Sequence, residues 1–295
     1  MKKSILILSS VLLIILTGCF KPSIFTGEKP GELSRVDFYI TDGVVPISSV
    51  TSLEVEINRV LLMSDEGSLV VSDEPLCVDL MDLIGDVYKI SSIEASGTYT
   101  QLRFEVGDAT VTFNLDGENL VLPVAIVSGS IKYPFREPLT LEEDTEIVLD
   151  FDLSRSLKIN GRWPDALERP NPMIRMTPVV HERHGLLYDV QGFVRDATGN
   201  GVPKALLVMK DDETITTFSH DEHGIWERGE FRFPKVKEGH YTIYVYKKET
   251  YESVIENLSE EFLDDLLDVL LETEPDGSTT IDVITDIDNL VITVK

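Results

Sequence analysis

Two short stretches concentrate side chains able to hold a metal or move a proton: HDEHG at 220–224 and HERHG at 181–185. Histidine nitrogens and carboxylate oxygens are common zinc ligands, and a histidine beside a carboxylate is also a pair used in general acid–base chemistry. In HERHG the histidines stand at i and i+3, one residue short of the H-E-x-x-H spacing that lets two rings on one helix face share a zinc ion. The chain contains no G-x-S-x-G elbow, no G-x-x-x-x-G-K-S/T phosphate loop and no G-x-G-x-x-G fingerprint. With 52 Asp and Glu residues, paired carboxylates occur everywhere and say little about glycosidase-type catalysis. No catalytic residue, metal site or cofactor is assigned from the sequence.

What must position these groups is a β framework. From residue 35 the apolar period becomes two: Val36, Phe38 and Ile40 in RVDFYIT, then Leu53, Val55 and Ile57 in SLEVEI, with YTQLRFEV and EIVLDFD continuing it. Turn signals separate the runs at TDG 41–43, DEG 65–67 and LDG 115–117. The pattern predicts an antiparallel β-sandwich over residues 34–181, with one short helical or looped segment near VDLMDLIGD. Cys77 lies in the apolar stretch LCVDLMDL, which predicts a buried, inert thiol. VDLMDL at 78–83, SGTYTQLRFEV at 96–106, LDFDLSRSLKI at 149–159 and MIRMTPVV at 173–180 resemble, in order, landmarks of the domain-of-unknown-function family DUF4382, found mainly in prokaryotic lipoproteins. That resemblance implies an architecture and a location, and no chemistry.

A second resemblance begins at Tyr188. YDVQGFVRDATGNGVPKALLVM, followed by GEFRFPKVKEGHYTIYVYK at 229–247, is similar to carboxypeptidase regulatory-like domains, accessory modules with a transthyretin-like β-sandwich and no peptidase residues. The fold expected is therefore mainly β: two antiparallel β-sandwich domains, the second, residues 187–295, transthyretin-like. Two features depart from the resemblance. HDEHGIWERG enlarges the turn before GEFRF by about five residues, and an amphipathic helix is inserted after Tyr251. In 257–274, Phe262, Leu263, Leu266, Leu267 and Leu270 fall on one face at the 3.6 period and acids on the other. Asn257 or Ser259 would cap its start, and Pro275, Asp276 and Gly277 end it. Fourteen acids and no Lys or Arg between Glu249 and Asp288 argue against a membrane-surface helix and for packing on its own sandwich. NLVITV closes the chain as a strand alternating Leu290, Ile292 and Val294.

Counting strands up and down from Tyr188 puts HDEH at one end of the second sandwich and HERH, read as an inter-domain connection, at the other. Strands of six to eight residues at about 3.3 Å each separate them by roughly 20–25 Å, while zinc ligands sit about 2 Å from the metal. One four-histidine site is excluded by that count. Two smaller groupings stay open, His181 with His184 and His240, or His220 with Asp221 and His223, beside the reading of all five as solvated turn and linker residues. His220, His223 and Trp226 are the candidate ligand loop, with Trp226 read first as a strut packed on its own domain.

The chain opens with Lys2 and Lys3, an apolar run from Ile5 to Leu16, then Thr17, Gly18 and Cys19. The run is shorter than the roughly 20 residues of a spanning helix and fits the core of a secretory signal over residues 1–18. LTGC at 16–19 resembles the lipobox of bacterial lipoproteins. The resemblance implies cleavage between Gly18 and Cys19 and a diacylglyceryl thioether on Cys19. Residues 19–33 would then be a tether, and Cys77 has no partner for an internal disulfide. Phe20 stands where an inner-membrane retention signal would have Asp, which favours the outer membrane in a cell with two. Removing residues 1–18 takes away two lysines and moves the formal charge from −26 to −28. Such a surface repels nucleic acid and anionic headgroups, leaving the covalent lipid as the membrane attachment. The sequence thus points to an extracytoplasmic, lipid-anchored binding or scaffold module, with an envelope protein or a glycan as partner. The alternative class is an envelope hydrolase using dispersed carboxylates, which needs a deep pocket where at least two of them converge.

Overall fold

The alternation at the start of the first domain does what a half-buried strand requires: in β1 (Ser34–Gly43) Val36, Phe38 and Ile40 have no solvent exposure. The structure is a computed structural model and describes residues 33–43, 49–126, 129–152, 156–159, 174–177, 179–257 and 266–295. After β1 come β2 (Val50–Ser64), β3 (Gly67–Ser72), β4 (Leu76–Asp79) and a 3₁₀ turn over Leu80–Leu83. β5 (Tyr88–Ala95), β6 (Gly97–Leu115), β7 (Glu118–Ile126) and β8 (Ser130–Leu141) follow. β9 (Thr145–Asp152), β10 (Leu157–Ile159), β11 (Ile174–Met176) and β12 (Val180–Gly185) complete the first sandwich. One sheet has the order β12-β9-β1-β5; the other runs β10-β11-β7-β6-β2-β3, with β4 on β2 and β8 on β6. Residues of both sheets, including Phe38, Leu53, Phe104, Phe113 and Phe151, share one core.

The segment near VDLMDLIGD is the expected short turn. Asp79 caps it, its carboxylate accepting from the backbone N–H of Met81 at 3.0 Å and of Leu53 at 2.9 Å. DEG and LDG are hairpin turns as read, and Asp116 (φ 53°) and Gly117 (φ 90°) supply the left-handed pair that a two-residue hairpin needs. TDG at 41–43 is not a turn: β1 runs through it, pairing Thr41 with Asp150 and Gly43 with Asp152 of β9. That pairing is parallel, as are β11 with β7 and a third pair below, so the sandwiches are mixed rather than purely antiparallel. The reason is burial. In parallel register Phe38 stands beside Ile147 and Ile40 beside Leu149, so the inward rows of both strands enter one core.

The second sandwich contains β13 (Leu187–Arg195), β14 (Leu206–Lys210), β15 (Thr214–Phe218), β16 (Glu230–Lys237) and β17 (Gly239–Tyr246). Two helices, α1 (Lys248–Asn257) and α2 (Leu266–Glu272), precede β18 (Gly277–Val283) and β19 (Ile287–Thr293). Its sheets are β16-β13-β19 and β15-β14-β17-β18, and β13 pairs with β19 in parallel. Val190, Val194, Leu207, Met209, Phe231, Phe233, Ile243 and Ile292 fill the space between them.

The helical insert differs from the single helix expected over 257–274. Helix begins nine residues earlier, at Lys248, and Asn257 is the last residue of α1 rather than a cap. Ser259, Phe262 and Leu263 lie outside the described residues. KETYESVIEN hides its helix because Tyr251, 2% exposed, is its one fully buried apolar side chain. The apolar face does pack on its own sandwich: Leu266, Leu267 and Leu270 join Tyr251 and the outer face of β14 and β17, through Leu206, Val208 and Tyr246. Each such leucine contributes about 1.5–3 kcal/mol by leaving water. The same cluster takes in Ile84 of the first sandwich, so one apolar patch reaches across both halves.

Candidate functional site

Two of the groups singled out in the sequence, His181 and His220, lie near the seam where the two sandwiches meet. Residues Glu32–Lys295 form one compact unit, and polar ties cross that seam. Lys235 on β16 pairs with Glu146 on β9 at 2.8 Å, and its ammonium stands 5.4 Å from the ring centre of Tyr39 on β1. Lys237 donates to the backbone oxygen of Glu182 at 3.4 Å.

HDEHG occupies the loop between β15 and β16, as read. Its base is set by buried Ser219, whose hydroxyl donates to the Val202 carbonyl at 2.7 Å and accepts from the Ala205 N–H at 2.9 Å. His220 N–H donates to the Glu230 carbonyl at 2.7 Å, and the His220 carbonyl accepts from Gly229 at 2.8 Å. His223 and Trp226 exchange backbone hydrogen bonds around Gly224, whose φ of +61° makes the tight reversal. Trp226 then lies flat on His220, ring centres 3.8 Å apart and planes 10° from parallel. Trp226 is thus a strut within its own domain, and the residue presented at the tip is Ile225, 88% exposed. Asp221 is taken by Arg228 at 2.9 Å, and His223 is exposed.

The His220 ring is half-buried and its Nε2 has no hydrogen-bond partner. It faces the first sandwich: a β-carbon built on Gly85 would lie 3.3 Å from Nε2 and 3.2 Å from Thr217 Oγ1. Burial alone pushes its pKa down to about 4, so the ring is neutral at physiological pH. A neutral imidazole with a free nitrogen can accept or donate one hydrogen bond.

HERHG is not a connection. It is β12, the edge strand of the first sandwich, pairing His181 with Asp150 and His184 with Ile147. Apolar alternation is missing because the core-facing row is Val180, Glu182 and His184, while Arg183, 2% exposed, is buried on the opposite face, where it meets the buried carboxylate of Asp150 at 3.4 Å. His181 lies 3.7 Å from the Asp152 carboxylate, which lifts its pKa. His184 pairs with Glu182, and His240 with Asp282 at 2.6 Å. His181, His184 and His240 therefore each hold a separate acid. Among the described residues no group of three or more His, Cys, Asp or Glu side chains converges as a metal site.

Two features were not legible beforehand. Asp42, at the end of β1, is 3% exposed and no side chain bonds its carboxylate oxygens, with only the adjacent Gly43 N–H favouring the charged form. Burial, with Asp150 and Asp152 nearby, holds it well above the ordinary carboxylate range. Burial likewise raises Asp150, against the pull of Arg183 and His181. The second feature is an open groove of about 350 Å³ on the other sheet, lined by Glu54, Glu56, Leu76, Cys77, Asp108 and Thr110. Glu56 accepts from the Asp108 N–H at 3.3 Å, and Thr110 donates to Glu54 at 3.5 Å. Cys77 is exposed there, not buried as expected. The period of two sends Val78 into the core and turns Cys77 outward opposite Glu56.

Residues 33–164, most of the first sandwich, match the model of the domain of unknown function DUF4382. No curated protein sequence matches. Among solved structures, a Streptococcal ancillary pilin is similar at 9% identity and a TM-score of 0.19, covering 90% of this chain. The chain spans 63% of that pilin's length. The shaft pilin SpaA from Lactobacillus rhamnosus GG is similar at 7% identity and TM-score 0.21, with 89% of this chain and 98% of the pilin covered. The major pilin subunit of Bacillus cereus is similar at 10% identity and TM-score 0.21, with 88% and 99% covered. At such scores these likenesses carry no residue, partner or activity to this chain.

Proposed function

We propose that the chain is an extracytoplasmic lipoprotein, held to a membrane by lipid on Cys19, whose body is a non-enzymatic binding or scaffold module of the cell envelope. The observation that carries the reading is LTGC at 16–19 behind Lys2, Lys3 and a short apolar run, followed by a β body that begins at Ser34. Two or three acyl chains suffice for stable anchoring, at about 0.8 kcal/mol per buried methylene. Among the described residues no helix is long and apolar enough to cross a membrane. The similarity of residues 187–250 to carboxypeptidase regulatory-like accessory modules supports a recognition role for the second sandwich. Its presented surface would be the 220–229 loop, led by Ile225, for an envelope protein or a glycan; nutrient capture is the specific version. Metabolic labelling with a palmitate analogue tests the anchor: label on wild type must vanish in Cys19→Ala. Crosslinking in cells with mass spectrometry tests the role. A protein crosslinked through the 220–229 loop supports scaffolding, and selective glycan-array binding supports capture.

An envelope hydrolase is the second reading, favoured by the groove where Glu54, Glu56 and Asp108 meet. Hydrolysis of an envelope polymer that is lost in Glu56→Gln would replace the binding reading.

A further inference from the structure

We propose that Asp42 is a proton-dependent latch on the seam: with its carboxyl neutral the Leu80–Asp86 segment docks on the second sandwich, and ionisation weakens that docking. Asp42 continues the inward row of Val36, Phe38 and Ile40, so its carboxyl enters an apolar interior instead of water. Its backbone bridges to Ile84, and the Thr41 hydroxyl donates to the Asp86 carbonyl at 2.6 Å, which fastens the 80–86 segment to this end of β1. That segment is what the first sandwich offers to the second here. Ile84 enters the cluster with Leu206, Tyr246 and Leu270, and Gly85 abuts Thr217, His220 and the Arg232 carbonyl. On the other side of Asp42, a β-carbon on Gly43 would lie 3.1 Å from Thr216 Oγ1. The residues flanking Asp42 thus touch the second sandwich while Asp42 itself stands behind them.

The surrounding charges do not offset an anion. Asp150 and Asp152 on β9 and Asp79 before the 3₁₀ turn are all acidic. Among the described residues, two cations on β12, Arg183 and His181, face Asp150 and Asp152 respectively. From the second sandwich come Glu213, another acid bearing on Asp150 and His181, and His220, which is neutral. An ionised carboxylate without a partner is costly inside a protein, and separating the 80–86 segment from β15 would let water reach it. The folded state therefore keeps the proton to a higher pH than the unfolded chain does. This contribution is fully present below the ordinary carboxylate pKa and is lost as pH rises through the folded value.

Backbone hydrogen–deuterium exchange on the full chain in detergent, at about pH 5 and about pH 8 after correction for intrinsic rates, tests the latch. Wild type should lose protection about tenfold or more in 80–86 and 216–220 at the higher pH, while the amides of Phe104 and Leu53 hold. Asp42→Asn should keep the seam protected at both values. Equal pH dependence in variant and wild type would overturn the latch. So would a variant less protected than wild type at the higher pH, since Asp42 would then be ionised and held by a cation. If the variant fails to fold, wild type alone decides, because a seam equally protected at both pH values refutes the proposal.

Discussion

His220 should make the fold acid-sensitive as pH falls from 6.5 towards 4. Burial lowers its pKa from 6.5 to about 4, so the folded state resists a proton that the unfolded chain binds readily. As pH falls from 6.5 towards 4 the unfolded state gains protons first and stability declines; above 6.5 the penalty is absent. The difference between 6.5 and about 4, at about 1.4 kcal/mol per pH step of one, sets a ceiling of about 3.5 kcal/mol. Because the ring is only half-buried, about 1–2 kcal/mol is the expected cost near pH 4.5, equivalent to roughly 2–8 °C in Tm for a body of this size. The comparison is wild type against His220→Gln, which keeps a planar polar side chain that does not titrate. Melting both at about pH 7.5 and about pH 4.5 cancels every other titrating group. The variant should be the less stable protein at neutral pH, where the stack on Trp226 is lost, and should close or reverse that gap in acid. A Tm difference that stays constant between the two pH values would refute the reasoning.

Other consequences are equally direct. Gly192→Ala would put a methyl 1.9 Å from the Leu290 carbonyl and force β13 from β19, costing about 3 kcal/mol or more in urea unfolding. Leu270→Ala removes a fully buried side chain from the cluster joining α2 to the sheet and should cost about 2–4 kcal/mol, read as a lower denaturation midpoint. Burial raises the Asp37 carboxylate, but Ser92, Lys89 and Arg35 outweigh it and bring the pKa down to about 2. Asp37→Asn should therefore cost about 1–2 kcal/mol above pH 4, with the difference shrinking as pH falls towards 2, in pH-dependent chemical denaturation. Cys77 should react stoichiometrically with a thiol reagent in the native protein, a result a buried thiol would not give.

The strands that announced themselves are those with water on one face and core on the other. Val36, Phe38, Ile40, Leu53, Val55 and Ile57 alternate with polar residues, and all six are buried. β12 was illegible for the opposite reason: two of its core-facing positions carry Glu182 and His184, and its buried Arg183 lies on the other face, matched to Asp150. TDG read as a turn because Asp and Gly favour turns locally, yet pairing across to β9 overrode that preference, which no local pattern can reveal. Cys77 was misplaced by its apolar neighbours, since a period of two decides each position by parity and not by context. At the candidate site, the turn HDEHG and the strut role of Trp226 could be read from residue types. Asp42 could not, because its significance lies in what fails to meet it.

The two long-range parallel pairings set a timetable for the chain. Arg35 on β1 bonds to Asp144, 109 residues away, and Asp189 on β13 to Asp286, 97 residues away. A chain delivered from its N-terminus, whether by a ribosome or across a membrane, thus holds β1 ready long before β9 arrives, and β13 before β19. Each sandwich waits with an open edge for its late strand, the kind of edge to which other chains attach. Completion of the second sandwich depends on the last dozen residues, so a chain cut short there would leave the first sandwich folded and its neighbour unfinished.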